Sequence, residues 1–179
     1  MSDTISFSQG PNTGTYSIVG WFDDPASDLR IVEISGSFSE WATLFASSNE
    51  PGRTATIFGR GGRPDGEVIA NAELKGWLAA APDGAISWGH NEVTNSLGAI
   101  QIYARFDNFT LSDEAGLSPG DSGGAWFVRD SQGLLRLAGI SEAVTGPFQH
   151  DDGYGAPDGN LFEAAIFDIG GLWVGGLGC

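Results

Sequence analysis

Gly120-Asp121-Ser122-Gly123-Gly124 (GDSGG) is followed at once by the apolar run Ala125-Trp126-Phe127-Val128, and this junction decides how the chain is read. Glycines on both sides of Ser122 allow a tight backbone turn, so that the N–H groups of Gly120 and Ser122 can converge on one small volume. A serine hydroxyl attacks a carbonyl when a neighbour takes its proton and backbone donors stabilise the resulting oxyanion. After the apolar run, the turn-like Asp130-Ser131-Gln132-Gly133 leads into Leu134-Leu135-Arg136-Leu137-Ala138. That pattern predicts a β-hairpin, and Ser122 therefore sits on a loop that enters a strand.

A strand after the serine excludes a competing match. GDSGG also satisfies the G-x-S-x-G elbow of the α/β-hydrolases, where a helix follows the serine and the acid and histidine come later in the chain. Leu117 to Ser141 (LSPGDSGGAWFVRDSQGLLRLAGIS) instead resembles the nucleophile region of the trypsin/chymotrypsin-like serine peptidases, in a bacterial-type branch. Ser27 to Ile34 (SDLRIVEI) resembles the segment in which that family places a buried aspartate before a short apolar strand. Asp28 lies 94 positions before Ser122 (122 − 28), against about 93 in the family's triad. Arg53 to Gly62 (RTATIFGRGG) resembles the strand and glycine-rich turn that open the second barrel, and Trp88 to Val93 (WGHNEV) a feature of its middle.

The resemblance implies an all-β, trypsin-like double Greek-key β-barrel with its first barrel incomplete. Residues 1–52 would be the partial first barrel with the interbarrel connection, and residues 53–179 the second barrel with the nucleophile loop. It implies a serine endopeptidase acting through an acyl-enzyme on Ser122, with Asp28 as the acid of the triad and the N–H groups of Gly120 and Ser122 as the oxyanion hole. For substrate binding it points to Gly116, about six residues before the serine, as a neutral pocket floor, and to Ser141, Glu142 and Ala143 as a wall. Asp113 or Glu114 could reach the pocket instead, or face water. The substrate would be a protein or peptide, the chain a monomer without cofactor, and its location extracellular or periplasmic.

One component departs from the pattern. In the family's chain order the histidine precedes the aspartate by about 45 positions, whereas only 27 residues precede Asp28 here and the two histidines are His90 and His150. The family's histidine would fall upstream of Met1. A binding or interaction module that keeps the fold without catalysis is the alternative expectation. Asp121 pairs with a freed N-terminus in activated trypsins, and here it requires another donor.

Composition sets the outer bounds. A chain of 179 residues with 28 glycines, eight prolines and short apolar runs broken by turn residues suits β structure. Ile5–Ser8, Tyr16–Phe22 and Leu29–Ile34 are candidate strands, and only Ser39–Ala46 has helical flavour. A net charge of −15 with Lys75 as the single lysine excludes nucleic acid and anionic membrane as natural partners, since phosphate binding requires clustered Lys and Arg. One cysteine, Cys179, excludes an internal disulfide framework, and two scattered histidines give no metal-ligand spacing. The N-terminus shows no signal-peptide pattern, and no apolar run reaches the roughly 18 residues of a membrane span. The six tryptophans read as packing residues.

Overall fold

The computed structural model describes residues 3–8, 10–97, 101–107, 111–151, 158–175 and 177–178, and among these there is no helix. The chain is all-β, and no helix is long and apolar enough to cross a membrane. It divides into two compact units, Met1–Ala42 and Thr43–Cys179.

The first unit is an antiparallel sheet of β1 (Thr4–Phe7), β2 (Gly14–Asp23) and β3 (Arg30–Ile34), in that order. All three candidate strands of the sequence are present. Phe7, Tyr16 and Phe38 form a small aromatic cluster on it, with ring centroids 5.1–6.0 Å apart in edge-to-face pairs. Asn12 clamps the chain beside them: its Oδ1 accepts from Ser39 N–H at 2.8 Å and its Nδ2 donates to Glu40 O at 2.6 Å. Toward the other end of β2 the sheet is apolar on both faces. Trp21 pairs with Val32 on one face and Phe22 with Ile31 on the other, and all four are exposed.

In the second unit, β4 (Thr54–Gly59) is the centre of a five-stranded sheet. Its neighbours are β9 (Ala125–Arg129) and β10 (Leu135–Ile140) on one side, and β7 (Ser87–Leu97) and β8 (Gln101–Ala104) on the other. Period-two alternation puts Ala55, Ile57, Trp126, Val128 and Val93 on one face, where they form the core. The hairpin β9–β10 is the one expected after the serine. A second sheet has the order β14 (Ala164–Ile166), β6 (Glu73–Ala79), β5 (Pro64–Ala70), with Val68 and Ala70 buried against Leu172. A third joins β13 (Asp158–Phe162), β12 (Phe148–His150) and β15 (Leu172–Val174), and the short β11 (Val144–Thr145) pairs with β16 (Leu177–Gly178). Residues 43–46 are not helical. Phe45 N–H donates to Leu137 O and Leu137 N–H to Thr43 O, so the segment lies along β10 as extended chain. An added strand satisfies these backbone groups where one helical turn would leave most of them open.

Lys75 ties β6 to the loop after β14. Its ammonium is buried, 2.5 Å from Asp168 Oδ2 and 2.8 Å from Glu73 Oε2. Hydrogen bonds from Lys75 first, and from Gly170 N–H second, hold the Asp168 carboxyl below its ordinary value; Asp168 and then Glu73 hold Lys75 above its own. Because the folded value of Asp168 is depressed, its contribution is present above the unfolded carboxylate value of about 3.9 and is lost as pH falls through the folded one. The raised Lys75 contribution is lost only in strong alkali. Asp168→Asn should therefore lower the melting temperature at pH 7, and the gap to wild type should close as pH is taken below about 4. Thermal unfolding across that range is the measurement, and a gap constant with pH would contradict this account.

Candidate active site

The GDSGG turn is built from three sides. From behind, Asp121 turns into the protein and accepts from Gly61 N–H at 2.6 Å, Ser118 N–H at 2.8 Å and Ser118 Oγ at 3.2 Å. Ser118 Oγ also reaches Gly62 O at 3.0 Å. The donor that Asp121 required is thus the glycine-rich turn after β4, together with its own loop. A Cβ on Gly61 would lie 2.6 Å from the Asp121 carboxyl carbon, so this turn approaches only as glycine.

From the side, the end of β10 is clipped to the turn. Gly123 N–H donates to Ser141 O and Ser141 N–H donates to Gly124 O, at 2.9 and 2.8 Å. Trp126 Nε1 donates to the buried Ser141 Oγ at 3.0 Å. From below, Asn91 on β7 donates to Ala115 O at 2.9 Å, and Ala115 N–H donates to His90 O at 2.8 Å. These bonds dock residues 113–115 on the strand and fix where Leu117 to Gly120 begin.

The result is a particular pattern of engaged and free donors. The N–H groups of Asp121, Gly123 and Gly124 are all bonded internally, to Ser118 O, Ser141 O and Asp121 O. Those of Gly120 and Ser122 make no hydrogen bond to the described residues, and neither does the Ser122 hydroxyl, which is exposed. Gly120 holds φ at +96°, and a Cβ there would lie 2.8 Å from the Pro82 ring. The free donors thus sit on Gly120 and on Ser122 itself, the residue that carries the exposed hydroxyl.

Ser122 opens on a cavity of about 100 Å³, walled by Ser141, Glu142, Ala143 and Val144 on one side and by Leu117 to Pro119 on the other, with Glu163 also lining it. Ser122, Ser141, Glu142 and Ala143 thus line one cavity. Gly116 does not line this cavity. It lines a larger cavity of about 420 Å³ with Trp77, Trp88 and Phe106, because it packs against Ala165 and Phe106 while Leu117 joins the core. Asp113 and Glu114 also line the larger cavity. Asp113 Oδ2 lies 2.8 Å from His90 Nδ1, and Glu114 Oε1 accepts from Asp107 N–H at 2.6 Å.

Asp28 departs from the expected buried acid. It is exposed on the turn before β3 and makes no hydrogen bond to the described residues. Its unit contains no histidine to orient. The turn is organised by Asp24, whose Oδ2 accepts from Ser27 Oγ at 2.7 Å and whose Oδ1 accepts from Ala26 N–H at 3.2 Å. The Ser27 bond first, then that of Ala26, keeps the Asp24 carboxyl below its ordinary value.

Neither histidine lines the cavity beside Ser122. Thr56 pairs with His90 on one side and with Phe127 on the other, so two strand spacings, roughly 9–10 Å, separate His90 from Phe127. His90 Nδ1 lies 2.8 Å from Asp113 Oδ2, and no hydrogen bond joins it to Ser122 among the described residues. His150 ends β12, opposite Leu172 and Asp158, with its ring against Phe162.

Sequence reasoning missed Glu163 and Ser118 as parts of this site. The glycine run 59–62 was a visible signal for the contact with Asp121; nothing in the sequence marked Glu163. Among the described residues no group of His, Cys, Asp and Glu side chains could hold a metal ion. No protein-family model, characterised protein or solved structure matches the chain.

Proposed function

We propose that the second unit carries the nucleophile side of a trypsin-like serine endopeptidase, with the two units belonging to its two barrels and the first barrel incomplete in residues 1–179. The alternation of free and engaged N–H groups around Ser122 carries this reading. In the reaction, Ser122 Oγ attacks the scissile carbonyl carbon while an imidazole takes the hydroxyl proton. The oxyanion accepts from Gly120 and Ser122 N–H, the amine leaves with the proton, and water then releases the acyl group from Ser122. Since neither His90 nor His150 lines the cavity, the imidazole belongs to a segment or chain outside residues 1–179. The apolar faces around Trp21, Phe22, Ile31 and Val32 suit a sheet that further strands complete. An extracellular or periplasmic protein and a peptide substrate follow from the same resemblance.

A fluorophosphonate probe tests the reading. Adduct formation at Ser122 when a histidine-bearing segment is supplied, located by mass spectrometry and absent in Ser122→Ala, is the expected result. A folded chain that gives no adduct, alone or with a histidine-bearing segment supplied, would leave the second reading: a binding module that keeps the fold without catalysis. The exposed, unpartnered Asp28 favours that alternative.

A further inference from the structure

We infer that the larger cavity, of about 420 Å³, is a binding site for a small planar aromatic molecule carrying an N–H donor, with Glu114 as the acceptor. The inference does not rest on the peptidase reading. The cavity lies within the second unit, where the turn after β4 and strands β6, β7 and β14 all contribute to its wall.

Its volume falls within the roughly 300–1,000 Å³ of small-molecule sites. Part of the wall is bare backbone or a single methyl, from Gly61, Ala115, Gly116 and Ala165. Gly116 is exposed there, and a Cβ on it would stand 3.2 Å from the Ala165 Cβ and 3.6 Å from Phe106 Cγ. Aromatic surface supplies another part. The Trp77 ring centroid lies 5.8 Å from those of both Phe106 and Phe167, so the ring is held in place, yet Trp77 and Phe106 stay half-buried. Fixed rings beside bare backbone form a slot that a further ring can enter, in offset or edge-to-face contact.

The charged side chains of this lining all have partners inside the protein, and one oxygen is left over. Arg63 Nε lies 3.7 Å from Asp83 Oδ2, Asp113 Oδ2 meets His90 Nδ1 at 2.8 Å, and Asp121 accepts from Gly61 and Ser118. Glu114 Oε1 accepts from Asp107 N–H, but Glu114 Oε2 is buried and has no hydrogen-bond partner among the described residues. A buried acceptor without a donor is unfavourable, and a ligand N–H that reaches it recovers the cost in a charge-assisted bond. The backbone on both sides of Glu114 is docked on β7, since His90 N–H donates to Asp113 O at 2.9 Å and Ala115 N–H to His90 O at 2.8 Å. The acceptor is therefore presented from a fixed wall. Three carboxylates against one guanidinium in the lining oppose an anionic ligand, which leaves a ring with a donor and no negative charge.

Indole is the probe, and benzofuran, the same ring pair with oxygen in place of N–H, is its control; each is titrated into the full chain and followed by NMR. Indole should bind with a Kd of about 1 mM or tighter, and at least about fivefold more tightly than benzofuran. Backbone amide shifts should centre on Gly61, Ala115 and Gly116. In Glu114→Gln the amide oxygen stays with Asp107 N–H and the NH₂ replaces Oε2, so that donor faces donor and the preference for indole should vanish. No binding of indole by wild type, equal binding of the two probes, or shifts centred elsewhere overturns the inference, and none of these needs a variant. An undiminished preference in folded Glu114→Gln overturns it as well. Ser122→Ala should bind indole as wild type does, so labelling of Ser122 and binding of indole can fail separately.

Discussion

Asp121→Ala should reduce the rate of fluorophosphonate labelling at Ser122 by about 10²–10³-fold, the scale seen when an oxyanion donor is lost. The side chain touches no substrate; it acts by holding the loop. Removing it leaves the N–H groups of Gly61 and Ser118 without an acceptor inside the protein, and unsatisfied donors at a partly buried site cost about 1–3 kcal/mol each. The loop relieves that cost by turning, which displaces the N–H groups of Gly120 and Ser122 with it. Asp121→Asn should fail as well. An ionised carboxylate accepts at both oxygens, whereas an amide presents a donor to one of the two sides and would face Gly61 N–H or Ser118 N–H with its own NH₂. The check is the labelling rate measured beside the melting temperature. A loss of labelling much larger than the loss of folded protein marks a positioning role, and labelling that falls only in proportion to unfolding would leave Asp121 a stabilising residue and nothing more.

Gly124→Ala should be the most destabilising single-methyl substitution in the loop, by about 3 kcal/mol or more. Its Cβ would run into the Phe58 carbonyl oxygen and stand 2.8 Å from Asp121 O. Both are backbone atoms, so no side chain can rotate away. Phe58 belongs to β4, the central strand of the five-stranded sheet, and Gly124 N–H and Gly124 O are already committed to Asp121 O and Ser141 N–H. Overpacking of this kind ordinarily costs about 1–3 kcal/mol, and the cost rises where the backbone cannot move. The comparison is Gly133→Ala, in the β9–β10 turn, where φ is +79° but nothing lies within 4 Å of the added methyl. That substitution carries the conformational penalty alone, about 1 kcal/mol. Urea denaturation of the two variants separates the terms, and equal midpoints would contradict the steric account.

Two features of the site explain why it resists reading from sequence. The motif 120–124 is contiguous, so its glycines, its serine and the strand after it are visible in one window, and the hairpin β9–β10 was expected with nearly its observed bounds. Asp121 is in the same window, but its partner Gly61 lies 60 positions earlier, and only the packing of the turn after β4 against the serine loop joins them. Asp28 shows the opposite failure. A spacing of 94 positions matches a family pattern, yet spacing carries no information about burial, and the residue lies exposed with Asp24 organising its turn.

The sequence by itself determined the all-β class, the strands of the first unit and the hairpin that follows Ser122. All of these rest on local signals: alternation of apolar residues, turn chemistry and glycine placement within a few positions. The tertiary structure alone decided which N–H groups around Ser122 are spent and which are free, that Gly116 leaves the serine's cavity, and that Glu163 enters it. The spent N–H groups are bonded to residues 3 to 18 positions away, whereas Gly116 packs on Ala165, 49 positions on, and Asp121 meets Gly61, 60 positions back, contacts made when strands pair and loops dock. A residue's role there is set by what the rest of the chain has already bonded.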